Sequence, residues 1–467
     1  MAKTKKTKLL SLFILSLLII STGFSCKCTP PEVKEAMQPI EITYWRVWDD
    51  EDAFTDIINA YKVLHPNITI KYRKLRYEEY EKTLIDALAE DRGPDIFAVH
   101  NTWINKYQSK IQPLPAETTL AYQVEKGKLK KELITELRTT PSLSLRALKT
   151  NFVDAVYNDA VLIDPADRQE KIYGLPLSVD TLALFYNRDP LNKAGIPEPA
   201  KYWDQFRDDV KKLTFQNKQG DIIQSGAGIG TGTNVSRSFD LLSILMMQNG
   251  TQMMDKKTAT FNVVPRGQKA EVIPGEAALV FYTDFASPAK TAYTWNDTLP
   301  NSLDAFIQGK SAMFFGYAYN LPTIKANAPK LNFDIAKLPQ IEGNPEMNYA
   351  NYWLETVSNK SQNIDVAWDF IQFATKAEQV ASHLAKAKKP TALRSLINSQ
   401  LEDLELGTFA SQVLTAKSWY QGQDAAAAEK IFTDMIDAVL TGSAKTSDIL
   451  RIGAQQITQT YNRNKNE

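Results

Sequence analysis

Ile40-Glu-Ile-Thr-Tyr44, short, apolar and β-leaning, opens the stretch ending at Trp103 whose pattern decides the fold. Asp52 follows as a helix-capping residue, and Phe54, Ile57, Ile58 and Tyr61 recur at helical spacing until His65-Pro66-Asn67 stops the helix. Ile68, Ile70 and Tyr72 alternate as strand residues do. Tyr80, Leu84 and Leu88 then line a second helix that closes at Gly93-Pro94, and Asp95-Ile-Phe-Ala-Val99 is a third strand. Consecutive β-α-β units impose right-handed crossovers and a parallel arrangement, and such sheets hold ligands in the crevice beyond the carboxyl ends of their strands. Trp45 to Asp50 and His100 to Trp103 occupy those ends, so the pattern predicts a cleft walled in part by tryptophan.

Ahead of this unit, Lys3, Lys5, Lys6 and Lys8 precede the apolar run Leu9 to Ile20, and Ser21 to Ser25 lead to Cys26. That is the layout of a secretory leader over residues 1–25, with one uncleaved N-terminal anchor as the alternative. Ser25 before Cys26 resembles a bacterial lipoprotein processing site, which would lipidate Cys26 and hold the mature chain on a membrane surface. Residues 26–38, with Pro30 and Pro31, and then Pro39 read as a short stiff tether. Cys26 and Cys28 are the only cysteines, so neither a disulfide framework nor a Cys-based zinc site is expected in the body. The formal charge is +0, and residues 1–25 hold four lysines and no acid, so the remainder carries about −4. Nucleic acid is therefore not an expected partner. With 467 residues and 43% hydrophobic composition, the chain is long enough for two or three domains with sizeable cores.

Further on, Thr118 to Thr150 reads as charged and helical, with Lys126 to Lys131 as a solvated run, and Asn151 to Ile163 as its helical continuation. Ile172 to Asn187 gives two apolar stretches divided around Asp180, the second read as a strand passing into another lobe. Trp203, Phe206, Val210 and Leu213 mark an amphipathic helix whose tryptophan packs in a core. Glycines alternate in Ser225 to Asn234 and match neither the dinucleotide fingerprint nor the P-loop, so a strand ending in a flexible loop is expected. Ser238 to Gly250 is a helix with a Met-rich core face, Ser311 to Gly316 a buried strand, and Asp365 to Ala374 an amphipathic helix with Trp368 as packing. The last hundred residues read as helical, most clearly Ala425 to Leu440.

His65, His100 and His383 are the only histidines, and no HExxH, nucleophile elbow or cysteine cluster accompanies them. A histidine-based hydrolase is poorly supported, no cofactor or metal is expected, and a carboxylate pair for glycoside hydrolysis stays open. Aromatics are the feature that stands out. Trp48, Trp103, Trp295, Trp353 and Trp419 each fall in or beside a predicted loop near a strand end, joined by Tyr282, Tyr317 and Tyr319. A sugar site is built this way: π faces accept the C–H faces of a pyranose, while Asp, Asn and Arg bond its hydroxyls. Each tryptophan taken alone could equally fill a hinge or minor core.

On these residues the chain resembles the bacterial extracellular solute-binding proteins of ABC importers, in the group that contains the maltose-binding and glycerol-phosphate-binding proteins. The landmarks are Ile42-Thr-Tyr-Trp45, Gly93-Pro-Asp-Ile96, Tyr173 to Asp180 with Phe185-Tyr-Asn187, Ala305 to Met313, Ala367-Trp-Asp-Phe-Ile371 and Lys417-Ser-Trp-Tyr420. The resemblance implies an α/β, type II periplasmic-binding-protein fold: two lobes with mixed sheets flanked by helices, and a cleft between them. Residues 39–178 plus 346–398 would form lobe I, and 179–345 plus 399–467 lobe II. It implies a monomeric, non-enzymatic, extracytoplasmic receptor that closes on a mono- or oligosaccharide and delivers it to permease subunits. The alternatives are a secreted carbohydrate-active enzyme, a glycan-binding adhesin, or a polyol phosphate as solute. By resemblance Trp48 and Asp49 form the first contact loop, Asn101 stands at a hydroxyl-binding position, Asp180 at a hinge acid, and Tyr319 and Trp419 at stacking positions. Trp103, Tyr282 and Trp353 complete the aromatic candidates, and Arg237 and Arg394 are the cations that would favour an anionic solute if both entered the cleft.

Overall fold

The computed structural model describes residues 30–127, 131–267, 269 and 271–462; the leader, Cys26 and residues 128–130 of the Lys126 to Lys131 run lie outside them. The expected tether is in part a helix. α1 (Pro31–Ala36) begins with proline at its first helical position, where a missing N–H costs nothing, and buries Val33. It packs on the hairpin described below, and Asn67 Nδ2 donates to Ala36 O (3.1 Å) and Gln38 O (3.0 Å).

The β-α-β pattern then forms as read, through β1 (Ile40–Val47), α2 (Asp52–Leu64), β2 (Ile68–Leu75), α3 (Tyr77–Ala89) and β3 (Ile96–His100). Asp52 lies inside the first turn of α2 rather than capping it, a position that still suits its charge to the helix dipole. A short β4 (Ile111–Gln112) follows. Next, the segment expected to be helical is a long antiparallel hairpin, β5 (Glu117–Lys126) and β6 (Glu132–Pro141), paired from Glu117↔Pro141 to Lys126↔Glu132. The charges obscured a two-residue period: Thr118 and Leu120 are buried, and the exposed Lys126 and Arg138, which share their face by register, both pair with Glu136. Helix forms only over Leu145–Asn151 and, after a break at Phe152-Val153, in α4 (Asp154–Ala160); Val161–Ile163 is a strand rather than a helical continuation.

The chain crosses to the second lobe through β7 (Asp180–Thr181) into β8 (Ala183–Asn187), α5 (Trp203–Leu213), α6 (Ser238–Gln248), β9 (Met313–Gly316), α7 (Leu321–Asn327) and β10 (Phe333–Ala336). It returns through β11 (Asn348–Asn351) to β12 (Trp353–Ser358), α8 (Ile364–Ala374) and α9 (Ala377–Ala387), then crosses again near β13 (Ala416–Lys417) to end in α10 (Ala425–Leu440) and α11 (Thr446–Asn462).

The first-lobe sheet has the order β2-β1-β3-β12-β4, with β1, β2 and β3 parallel and β12 antiparallel from Trp353↔His100 to Val357↔Ile96. The second-lobe sheet is antiparallel, β9-β8-β10. Between them β13-β11-β7 form a small ribbon at the crossing. The cores separate in the same way. One draws on residues 42–179 and 350–416, and the other on residues 182–338, Tyr349 and 420–461. β8 divides two clusters on its opposite faces, Leu184 in the main second-lobe core and Phe185 against Phe314 and Phe409.

The glycine-rich segment expected to be a flexible loop is packed instead. Residues 225–232 are buried, and a Cβ at Gly226 would meet Val210 O at 2.6 Å. Gly230 takes φ +115° against the Phe285-Ala286 backbone, a conformation open to glycine. Trp368 is fully buried in the first-lobe core with Nε1 donating to Gln112 O (3.1 Å). Trp368→Ala is expected to cost about 3–5 kcal/mol through lost contacts and a residual cavity, measured by denaturant titration with the midpoint falling.

Candidate functional site

The carboxyl ends of the three parallel strands converge on one edge, and each supplies a side chain: Trp48 after β1, Tyr77 after β2, and His100 at the end of β3. Trp353, opening β12, meets the same edge because its register partner is His100. These residues, with Arg46 and Lys389, face Asp180, Arg237 and Tyr319 across a cavity of about 180 Å³ whose floor includes Ser178, Asn351 and Tyr352 at the crossing.

Aromatic rings form one side. Trp48 stacks on Tyr77 (centroids 5.2 Å apart, 23° between planes), and Trp353 meets Tyr77, Tyr80, His100 and Trp103 edge-on at 5.3–6.4 Å. Across the cleft Tyr319 lies nearly parallel to Trp48 (6.1 Å, 9°) and stacks on Tyr317 (5.4 Å, 18°).

Polar groups line the rest, each fixed from behind. Arg46 Nε donates to Glu355 Oε1 (2.9 Å), its Nη1 bonds Asp49 Oδ2, and Lys389 Nζ donates to Asp49 Oδ1 (2.5 Å). Burial opposes ionisation of Asp49, yet Arg46 and Lys389 hold its carboxyl well below the usual range; burial raises Glu355 in spite of Arg46. Arg237 donates bidentately to Asp240 (2.7 Å each) and through Nη1 to Glu429 (3.0 Å). Burial pushes His100 down to about 4, and Arg237 pushes the same way. The ring is therefore neutral near pH 7, with Nδ1 accepting from the Thr102 backbone N–H and Nε2 donating to Asn351 Oδ1 (3.2 Å). Asp180 is buried and accepts from the backbone N–H groups of Thr181 (2.9 Å), Ala318 (3.2 Å) and Tyr319 (3.3 Å). Burial outweighs those bonds and pushes its carboxyl up to about 7.

The residues nominated from sequence divide by position. Trp48, Asp180, Arg237, Tyr319 and Trp353 come together on the cavity wall. Asp49 lies just behind it, both carboxylate oxygens engaged by Arg46 and Lys389. Trp103 packs against Trp353 and Tyr107. Asn101 is buried with Nδ2 donating to Asp159 Oδ2 (3.1 Å), in a cluster where Asp159 also accepts from Tyr352 and Ser418. Tyr282 is fully buried in the second-lobe core, its hydroxyl donating to Thr231 O (2.8 Å). Trp419 stacks on Phe239 and donates to Ser243 Oγ (2.9 Å). Trp295 is fully buried with Nε1 on Asn234 Oδ1 (3.0 Å), and Arg394 bonds Phe152 O and Asp154 in the first lobe. Sequence reading did not nominate the other lining residues, Arg46, Tyr77, His100, Ser178, Asn351, Tyr352 and Lys389. Tyr77 was findable by the strand-end rule that located Trp48.

A larger cavity of about 590 Å³ lies beside the β5–β6 hairpin, but all of its lining residues come from the first lobe, so movement of one lobe on the other would not enclose it.

Two lobes joined at crossing strands, with a shared cavity between them, define a two-lobe ligand-binding protein. The family model described as bacterial extracellular solute-binding protein matches residues 48–381, and the chain belongs to that family. Among relatives, a galactooligosaccharide-binding protein of Bacillus subtilis is 26% identical over 249 residues, covering 53% of this chain and 55% of that one. Among solved structures, the cyclic α-maltosyl-1,6-maltose-binding protein of Arthrobacter globiformis is similar with a TM-score of 0.70 at 16% identity, covering 91% of this chain and 100% of that one. An ABC-transporter solute-binding protein of Thermotoga lettingae bound to α-D-tagatose is similar at TM-score 0.63 and 17% identity, covering 90% and 99%.

Asp180 gives a pH prediction. Its folded pKa, about 7, lies above the ordinary 3.8, so between those values the folded state holds more protons and the group's contribution to stability falls as pH rises. Asp180→Asn should gain stability relative to wild type from about pH 4 to pH 7 and hold a constant gain above, as read by urea melts across that range.

Proposed function

We propose that this protein is an extracytoplasmic receptor that encloses a neutral carbohydrate between its lobes and hands it to the permease of an ABC importer. The observation that carries this reading is the make-up of one cavity. Rings at Trp48, Tyr77, Trp353 and Tyr319 offer apolar faces, while Asp180, Arg237, Lys389, His100 and Asn351 offer fixed donors and acceptors drawn from both lobes. That combination matches the two surfaces of a pyranose. Trp103, packed on Trp353, and Asn101, bonded to the Asp159 that also holds Tyr352, support this wall, while Tyr282 and Trp419 pack within the second lobe. The names of the relatives, which include galactooligosaccharide, cyclic maltosyl-maltose and tagatose, point the same way.

Charge favours a neutral solute over a polyol phosphate. Arg46, Lys389 and Arg237 are each met by carboxylates at Asp49, Glu355, Asp240 and Glu429, and Arg394 stays in the first lobe beside Asp154. An added phosphate would have to compete with those acids for the same donors. Asp180 is the one carboxylate among the described residues lining the cavity, which supports binding over a two-carboxylate hydrolysis mechanism. No helix among the described residues is long and apolar enough to cross a membrane. Attachment through a lipid on Cys26, after removal of residues 1–25, is the proposed route to the membrane surface.

Closure links binding to transport. A solute that contacts both lobes favours the shut form, and a permease can distinguish the two by the spacing of the outer surfaces. A thermal-shift screen of mono- and oligosaccharides, polyol phosphates and amino acids tests the reading. A sugar at about 100 times its dissociation constant should add roughly 2.7 kcal/mol of stability, and a response to phosphates alone would replace it. Trp353→Ala should weaken binding of the responding sugar by about 1.5–3 kcal/mol through lost apolar contact, measured by calorimetry; unchanged affinity removes Trp353 from the site.

A further inference from the structure

Trp48 has a backbone that its residue type rarely adopts. Its φ is +74°, and the Asp49 N–H donates to Val47 O at 2.9 Å, the two-residue bond of a γ-turn centred on Trp48. Such a conformation in a bulky residue persists only where its surroundings over-determine it. Here they act through Asp49. The Tyr72 hydroxyl donates to Asp49 O (2.5 Å), Lys389 Nζ donates to Oδ1 (2.5 Å), and Arg46 holds Oδ2 while bonding Glu355 on β12. Lys389 adjoins Pro390, whose carbonyl accepts from the Val179 N–H (3.2 Å) beside the crossing at Asp180.

What the turn achieves is the direction of the Trp48 ring. It stacks on Tyr77 within its own lobe and lies parallel to Tyr319 of the other. Tyr319 is fixed in turn by the ring of Tyr317, whose hydroxyl donates to Asp240, and by its own N–H on Asp180. A continuous file of rings, Tyr77, Trp48, Tyr319 and Tyr317, therefore runs from one lobe into the other.

We infer that Asp49 is a positioning residue: it clamps the γ-turn so that Trp48 reaches Tyr319, and this aromatic contact between the lobes sets how readily the cleft shuts. Asp49 acts on solute affinity through the closed population and not by touching solute. Apparent affinity scales with the fraction of protein already in the competent form. The inference rests on lobes that move, as the receptor reading holds, and is independent of which solute binds.

Small-angle scattering of the full chain without added solute tests it, on wild type, Asp49→Asn, Trp48→Ala, Tyr319→Ala and the Asp49→Asn/Trp48→Ala double variant. Each single change should raise the radius of gyration, the double variant should match Trp48→Ala alone, and Asp49→Asn should lose the same near-ultraviolet circular-dichroism bands as Trp48→Ala. A wild-type radius and spectrum in Asp49→Asn, or an unchanged radius in Trp48→Ala, overturns it. So does additivity of the two. Far-ultraviolet spectra and melts establish folding. Should Asp49→Asn fail to fold, Tyr72→Phe removes only the hydroxyl clamp and must raise the radius and weaken the same bands. If these changes appear while no sugar shifts the melting temperature, the carbohydrate reading fails and this inference stands.

Discussion

A buried ionic cluster at the carboxyl end of β1 is the constraint on which the cleft depends. Arg46 on β1 reaches past β3 to Glu355 on β12, and with Asp49 it joins the contact loop to Lys389 beyond α9. Withdrawing these charges from water is costly, and single partners left behind would be more costly still. The cluster tolerates burial because all four carboxylate oxygens of Asp49 and Glu355 have directed partners, the Tyr44 hydroxyl donating to Glu355 Oε2 (2.6 Å). Its effect is geometric. Strand ends that would otherwise fray into mobile loops are fastened to the sheet, and the groups facing the cavity inherit that order.

The second lobe solves the same problem differently. Arg237, in a left-handed conformation at the start of α6, is fastened to Asp240 one turn on and to Glu429 of α10, so a cation is presented from a helix end that would repel it without its acids. Among the described residues no cation bonds Asp180, which relies on three backbone N–H groups, and burial therefore lifts its pKa far.

Much of the first lobe was legible because its information is local. The periods of 3.6 and 2 in residues 40–100 correspond to α2, α3, β1, β2 and β3, and in the second lobe the local period of Ala425–Leu440 is likewise a helix to the residue. The hairpin was misread because Lys and Glu at its exposed positions mask a period that only Thr118, Leu120 and their buried neighbours carry. In the site, strand-end logic led to Trp48 and Trp353. It could not separate them from Trp295 or Tyr282, since a ring in a loop and a ring under a loop look alike until packing is known. Lys389 carried no local signal at all. It enters the cavity through a left-handed Lys388 after α9, some 340 residues from its partner Asp49.

The ribbon β13-β11-β7 at the crossing has a mechanical meaning. Hydrogen bonds across adjacent strands resist sliding and shear, while the pleat flexes about an axis across the strands. A joint made of such a strip behaves as a door hinge with one degree of freedom and not as a ball in a socket. In the receptor role proposed above, the two bodies swing along a single arc, and a listener on the outside needs to gauge only one angle to know whether the room is occupied.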